Sequence, residues 1–161
     1  MAYIMSTVKE PDDGCIFCRM IAGGDDERNL ILHRGERAFV VVNLFPYNTG
    51  HLMVVPFRHT GDFLSLTAAE HLDLANLTAL AQEVLSECLS PHGYNIGMNL
   101  GRVSGAGIAD HLHYHVVPRW NGDSNFMPVV ADTKVISESL QETYRRLKAV
   151  FDGRTRGALS R

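Results

Sequence analysis

Between Arg37 and Arg58 the chain reads AFVVVNLFPYNTGHLMVVPFR, two β-branched runs on either side of a segment carrying Pro, Asn and Gly. Valine is stiff at χ1 and suits a pleated surface, whereas Pro and Gly interrupt regular pairing. The pattern predicts a strand, a turn and a strand. A link this short favours an antiparallel pair, because a parallel one needs a crossover of a dozen or more residues.

A helix follows the hairpin. Thr67 with Glu70 three residues later forms a capping-box pattern, and apolar residues recur at helical spacing at Leu74, Leu77, Ala81, Val84, Leu85 and Cys88 until Ser90-Pro91. The predicted span is Thr67 to Leu89, and its leucine stripe suits a core or a subunit interface equally. Next come a short strand from Tyr94 to Asn99, the glycine-rich stretch GRVSGAG, and a strand from about Asp110 to Val117. A final helix runs from Ser137 to Phe151, with Leu140, Tyr144, Leu147 and Phe151 on one side. Hairpin strands with one long helix inserted make the class α+β with a mainly antiparallel sheet. The 161 residues read as a single domain, 1–161, with loose polar ends at about 1–13 and 152–161. A chain of this length buries a core without staples.

The formal net charge of -3 gives no electrostatic reason to expect nucleic acid as a partner. The first fourteen residues lack the pattern of a secretory signal, and no apolar run reaches membrane-spanning length, so the expectation is a cytoplasmic protein with no membrane partner. Of three cysteines, Cys88 lies on the apolar helix face and serves packing, while Cys15 and Cys18 form CIFC. In a reducing compartment that spacing points to metal ligation or redox work before a disulfide. No thioredoxin-like βαβ pattern surrounds it, and two thiols need two further ligands, with histidine the obvious supply, to close a tetrahedral zinc site.

The stretch HLHYHVVPRW sets His111, His113 and His115 at alternate positions among Leu112, Tyr114 and Val116. Residues two apart in an extended chain project to one face, so the three imidazoles share a surface suited to a metal or an anion. The glycines just before them allow backbone N–H groups to approach an anion. A neutral imidazole can attack phosphorus and divide a difficult displacement into two steps through a covalent intermediate. His113, with a histidine on each side, is the natural nucleophile. No Walker-type phosphate loop is present. His33, His71 and His92 read as solvated. Trp120 suits stacking on a base or anchoring a core, and Arg119 a phosphate contact or a surface ion pair.

HLHYHVV resembles the His-x-His-x-His-x-x signature of the histidine triad (HIT) superfamily. The runs NLFPYNTGHLMVVPFRH and HVVPRWNGDSNFMP are most similar to the fragile-histidine-triad branch and to bacterial dinucleoside tetraphosphate hydrolases and phosphorylases, over about residues 15–147. The resemblance implies a HIT-like fold, a five-stranded sheet with one long helix and a C-terminal helix. It implies an enzyme that cleaves dinucleoside polyphosphates, with diadenosine tetraphosphate favoured, through a nucleotidyl-His113 later cleaved by water or inorganic phosphate. His115 would contact the phosphate or leaving oxygen, and Asn43 the ribose hydroxyls. His51 would sit beside the catalytic triad of His111, His113 and His115. Asn99 and the backbone from Gly105 through Gly107 to Ile108 would bind phosphate oxygens.

Many members carry Gln and then Ser or Thr where this chain has Gly107 and Ile108. The departure leaves hydrolysis against phosphorolysis open, weakens the purine nucleoside phosphoramidase alternative, and is the best support for a nucleotide-binding or adaptor protein with little turnover. A zinc-dependent redox or storage module is a third class. The resemblance further implies a structural Zn2+ held by Cys15, Cys18, His59 and His111, and a homodimer joined through the long helix and an extended sheet.

Overall fold

The computed structural model describes residues 14–123 and 138–158. Five strands, β1 (Ile31–Arg34), β2 (Ala38–Val42), β3 (Leu52–Pro56), β4 (Gly93–Met98) and β5 (Tyr114–Arg119), form one sheet in the order β1-β2-β3-β5-β4. Every neighbouring pair is antiparallel. Among the described residues three α-helices accompany it, α1 (Ile16–Ala22), α2 (Ala68–Leu89) and α3 (Leu140–Ala158). The predicted hairpin is β2 and β3, paired from Ala38 opposite Pro56 to Val42 opposite Leu52.

The unbroken apolar runs of β2 and β3 have a packing reason. Their alternate side chains enter two cores, one on each face of the sheet. Val40, Val42, Leu52 and Val54 meet Leu74, Leu77, Ala81, Val84 and Leu85 of α2 and Leu147 and Phe151 of α3. Phe39, Val41, Met53 and Val55 meet Phe17 and Met20 of α1. Cys88 packs half-buried beside the first core, as its place on the stripe implied.

Helix α2 starts as its capping box dictates. Thr67 Oγ1 accepts from the Glu70 N–H at 3.2 Å, and the Thr67 N–H donates to Glu70 Oε2 at 2.8 Å. Arg58, just beyond β3, grips the same carboxylate through Nε at 2.8 Å and Nη2 at 2.9 Å. These hydrogen bonds, Arg58 foremost, hold the buried Glu70 carboxyl down at about 2. Since the folded pKa lies below the unfolded one, the stabilisation is complete above about pH 4.5 and is lost as pH falls toward 2. Glu70→Gln is expected to cost about 1–2 kcal/mol near neutrality. Urea midpoints of parent and variant should converge between pH 5 and pH 2, and parallel curves would reject the assignment.

Two elements have no counterpart in the sequence expectations, α1 and β1. Other expectations are corrected. The last helix starts at Leu140, not Ser137, which lies outside the described residues, and it continues past Asp152 to Ala158 instead of giving way to a loose tail. Lys148 pairs with Asp152 and Thr155 Oγ1 donates to the Phe151 carbonyl at 3.0 Å within the helix, and Arg154 spans to Glu83 and Glu87 of α2, so local and tertiary pairing together carry the helix through Gly153. The histidine strand begins at Tyr114, not Asp110. His33 is not solvated but lies half-buried on β1, stacked on Phe151 at 6.1 Å. His71 likewise meets Phe63 edge-on at 4.9 Å. The expected loose end at 1–13 lies outside the described residues. Among the described residues no helix is long and apolar enough to cross a membrane.

Candidate active site and metal cluster

On β5, Tyr114 stands opposite Val54, His115 opposite Met53 and Val116 opposite Leu52. Partners across a sheet share a face, so Tyr114 and Val116 point toward α2 while His115 points toward α1. Leu112 joins the α2 side and the His111 and His113 rings meet Phe17 of α1, so the alternation holds although residues 110–113 lie outside the strand. The Leu112 N–H donates not to a strand but to the Thr60 carbonyl at 2.8 Å. A methyl group on Gly61 would stand 2.6 Å from the Ala109 carbonyl oxygen, so only glycine lets these two loops come this close.

The partners of each imidazole define its tautomer. His113 Nδ1 lies 2.9 Å from the His111 carbonyl oxygen, which only accepts, so Nδ1 carries the proton and Nε2 keeps its lone pair. Burial lowers the His113 pKa and keeps the ring neutral. Its geometry suits a nucleophile.

His115 is set by a chain of contacts. The Tyr47 N–H donates to His51 Nδ1 at 3.0 Å, so His51 carries its proton on Nε2 and donates to His115 Nδ1 at 2.9 Å. The remaining proton of His115 is thereby placed on Nε2. Burial, with His113 alongside, lowers the His115 pKa to about 4, so at neutral pH it is an uncharged donor. The Tyr47 ring stacks on His51 at 4.8 Å and reaches His115 at 5.9 Å.

The other expected ligand-binding residues surround this pair. Asn43 is buried, accepts from the Phe45 N–H at 2.9 Å and places Nδ2 3.3 Å from His51 Nδ1. Asn99 follows β4, and its Nδ2 would lie 3.8 Å from a methyl on Gly105. Gly105 ends a short 3-10 turn at φ +94°, a left-handed conformation that suits glycine. A methyl on Gly107 would meet open space, and the Ile108 side chain turns into the α1 core. Arg119 takes the ion-pair reading, with Nε 2.7 Å from Asp123 Oδ2, and Asn48 Nδ2 donates to the same oxygen at 2.9 Å. Trp120 is half-buried, its N–H on that oxygen at 3.1 Å.

The cysteines reach the other side of His111. Its Nδ1 lies 3.3 Å from Cys15 Sγ and 3.7 Å from Cys18 Sγ, and His59 Nδ1 lies 3.5 Å from Cys18 Sγ. One donor atom from each of the four residues falls within 4.8 Å of all the others. His111 Nε2 is 2.8 Å from the Pro56 carbonyl and must donate its proton there, which turns the lone pair of Nδ1 toward the thiols. Burial and the adjacent Cys15 raise the Cys18 pKa, a cost that a bound cation would offset. The donor set fits a tetrahedral metal ion, and the structure brings together all four residues that the resemblance implied.

Sequence reasoning missed Phe17 and Tyr47. Phe17 lies between the two cysteines, with ring centroids 5.3 Å from both His111 and His113. Its position inside CIFC was the available signal. Tyr47 acts through its main-chain N–H, a contribution that no side-chain pattern carries.

A family model described as HIT domain matches residues 26–122. AP-4-A phosphorylase of Mycobacterium tuberculosis is 46% identical over 122 residues, covering 76% of this chain and 63% of that protein. The chain thus spans less than two-thirds of that relative's length. A HIT-like protein of Methanocaldococcus jannaschii is 32% identical over 134 residues, 83% of this chain and 98% of its own. The crystal structure of a zinc-bound histidine triad family protein from Mycobacterium smegmatis superposes with a TM-score of 0.71 at 23% identity, covering 89% of this chain and 97% of that one. Histidine alternation, five-stranded sheet and family match agree, and the chain belongs to the HIT domain family.

Proposed function

We propose that the protein cleaves dinucleoside polyphosphates by phosphorolysis, with diadenosine tetraphosphate as substrate and inorganic phosphate as acceptor. The observation that carries the reading is the His113 ring, its Nδ1–H on the His111 carbonyl and its Nε2 lone pair available beside the Nε2–H of His115. The 46% identical relative named AP-4-A phosphorylase supports the substrate and the acceptor.

In the first step His113 Nε2 forms a bond to an α-phosphorus. The bond from that phosphorus to its bridging oxygen breaks, and ATP departs on the oxygen with the electron pair. The imidazole becomes positively charged, and the His111 carbonyl on Nδ1–H stabilises that charge as it develops. The His115 Nε2–H donates to the phosphate or the leaving oxygen. In the second step a phosphate oxygen attacks, the N–P bond returns its electron pair to Nε2, and ADP leaves. Asn43 holds the ribose hydroxyls, while Asn99 and the backbone from Gly105 to Ile108 contact phosphate oxygens.

Zinc is the metal best matched to two thiolates and two imidazoles, and a reducing cytoplasm keeps both thiols available. A closed set of four protein ligands gives it a structural role. The exposed Leu72 of α2 and Ile96 on edge strand β4 support a homodimer through these two elements.

Product analysis with diadenosine tetraphosphate tests the reading. ADP plus ATP, formed only when phosphate is added, is the expected result. AMP plus ATP at the same rate without phosphate would make the protein a hydrolase. Tight AMP binding with no turnover would favour the nucleotide-binding reading.

A further inference from the structure

We infer that Phe17 is a positioning residue for the His113 nucleophile, and that the Cys15, Cys18, His59 and His111 cluster, when loaded with metal, keeps Phe17 in place. The inference rests on His113 being the reacting group. One hydrogen bond, from Nδ1 to the His111 carbonyl, restrains the nucleophilic ring at one point. A ring held there can still tip about that bond and swing Nε2. The His115 ring meets it edge-on at 4.9 Å, and Phe17 supplies a further restraint, 1% exposed, its ring inclined at 52° to His113 with centroids 5.3 Å apart. It meets His111 edge-on at the same distance and braces against Phe39 at 6.5 Å.

What holds Phe17 is a helix of only seven residues, whose N-cap Cys15 makes no side-chain cap hydrogen bond. A helix this short does not persist by itself. It is anchored by burial of Phe17 and Met20 in the α1 core, by Asn29 Nδ2 donating to the Met20 carbonyl at 3.1 Å near its C-terminal end, and at its N-terminal end by the two cysteine sulfurs that meet His59 and His111. The CIFC segment thus has a double orientation. Its cysteines face the metal donors while the phenylalanine between them faces the nucleophile, and loss of the metal frees the segment that presses on His113.

The test uses Phe17→Ala and Phe17→Leu in the full chain, with metal content measured on each. The expected result is full metal loading in both, a kcat for diadenosine tetraphosphate lowered about tenfold or more in Phe17→Ala with KM little changed, and partial recovery in Phe17→Leu. Chelation of the parent should lower kcat by a similar factor, and chelation of Phe17→Ala should add little, since the restraint is already gone. Imidazole NMR supplies a reading independent of substrate, with the His113 Nδ1–H signal sharp in the metal-loaded parent and broadened in Phe17→Ala or after chelation. If Phe17→Ala does not fold, Phe17→Leu carries the same comparisons. Unchanged kcat and an unchanged His113 signal in a metal-loaded variant would overturn the inference, as would independent, multiplying losses from chelation and substitution. A broadened signal in a protein that cleaves no dinucleotide would sustain the positioning role and reject the proposed activity.

Discussion

His113→Ala is expected to slow cleavage of diadenosine tetraphosphate by about 10^4-fold or more, because removing a covalent nucleophile leaves only what binding and electrostatic contacts supply. The His111 ring keeps its bond to the Pro56 carbonyl and the His51–His115 pair its own contact in that variant, so nucleotide affinity should fall far less than the rate. Rapid quenching with α-labelled substrate checks both parts. The parent should yield a label on protein that is stable in alkali and labile in acid, the behaviour of a phosphorus–nitrogen bond, and the variant none. A variant that keeps a tenth of the parent rate would remove His113 from the role of nucleophile.

Cys18→Ser should abolish stoichiometric metal binding, because the serine hydroxyl does not ionise near neutrality and is a harder donor than thiolate. Metal analysis after dialysis is expected to give about one equivalent for the parent and under about a tenth for the variant. Metal that binds only the folded state adds about 4 kcal/mol when its free concentration exceeds the dissociation constant a thousandfold. The parent's urea midpoint should therefore fall on chelation, whereas that of Cys18→Ser should start low and stay there. Equal metal content in the two proteins would dismiss the cluster as a site.

What was legible in the chain depended on how many residues carried each signal. The β2–β3 hairpin and α2 each repeat one pattern over many positions, and both stand where the pattern placed them. The triad needed only three side chains, because an imidazole at every second residue has no other common explanation. Helix α1, at seven residues, spans two turns and shows no period, and β1, at four, carries a register shift between Ile31 and His33. The proton positions at the site were illegible for another reason. They depend on the main-chain groups of Tyr47, Pro56 and His111, which every residue possesses and which only the fold aims. The start of β5 was misplaced for a related cause, since the Leu112 N–H finds the Thr60 carbonyl in a loop that has already left the sheet.

Among the described strands, the one that carries His115 is the last to be made, and yet it sits between β3 and β4. A nascent chain that has not yet released Tyr114 therefore has β4 without the neighbour it pairs with and β3 with one side open. Closing the gap joins segments far apart in sequence, the kind of pairing that slows folding and leaves edges exposed meanwhile. The same insertion completes the nucleophile's surroundings, so no partly built sheet carries the arrangement described for His113. The proposed catalysis consequently waits on β5, and a ribosome-stalled series of increasing length should show no activity until β5 has emerged.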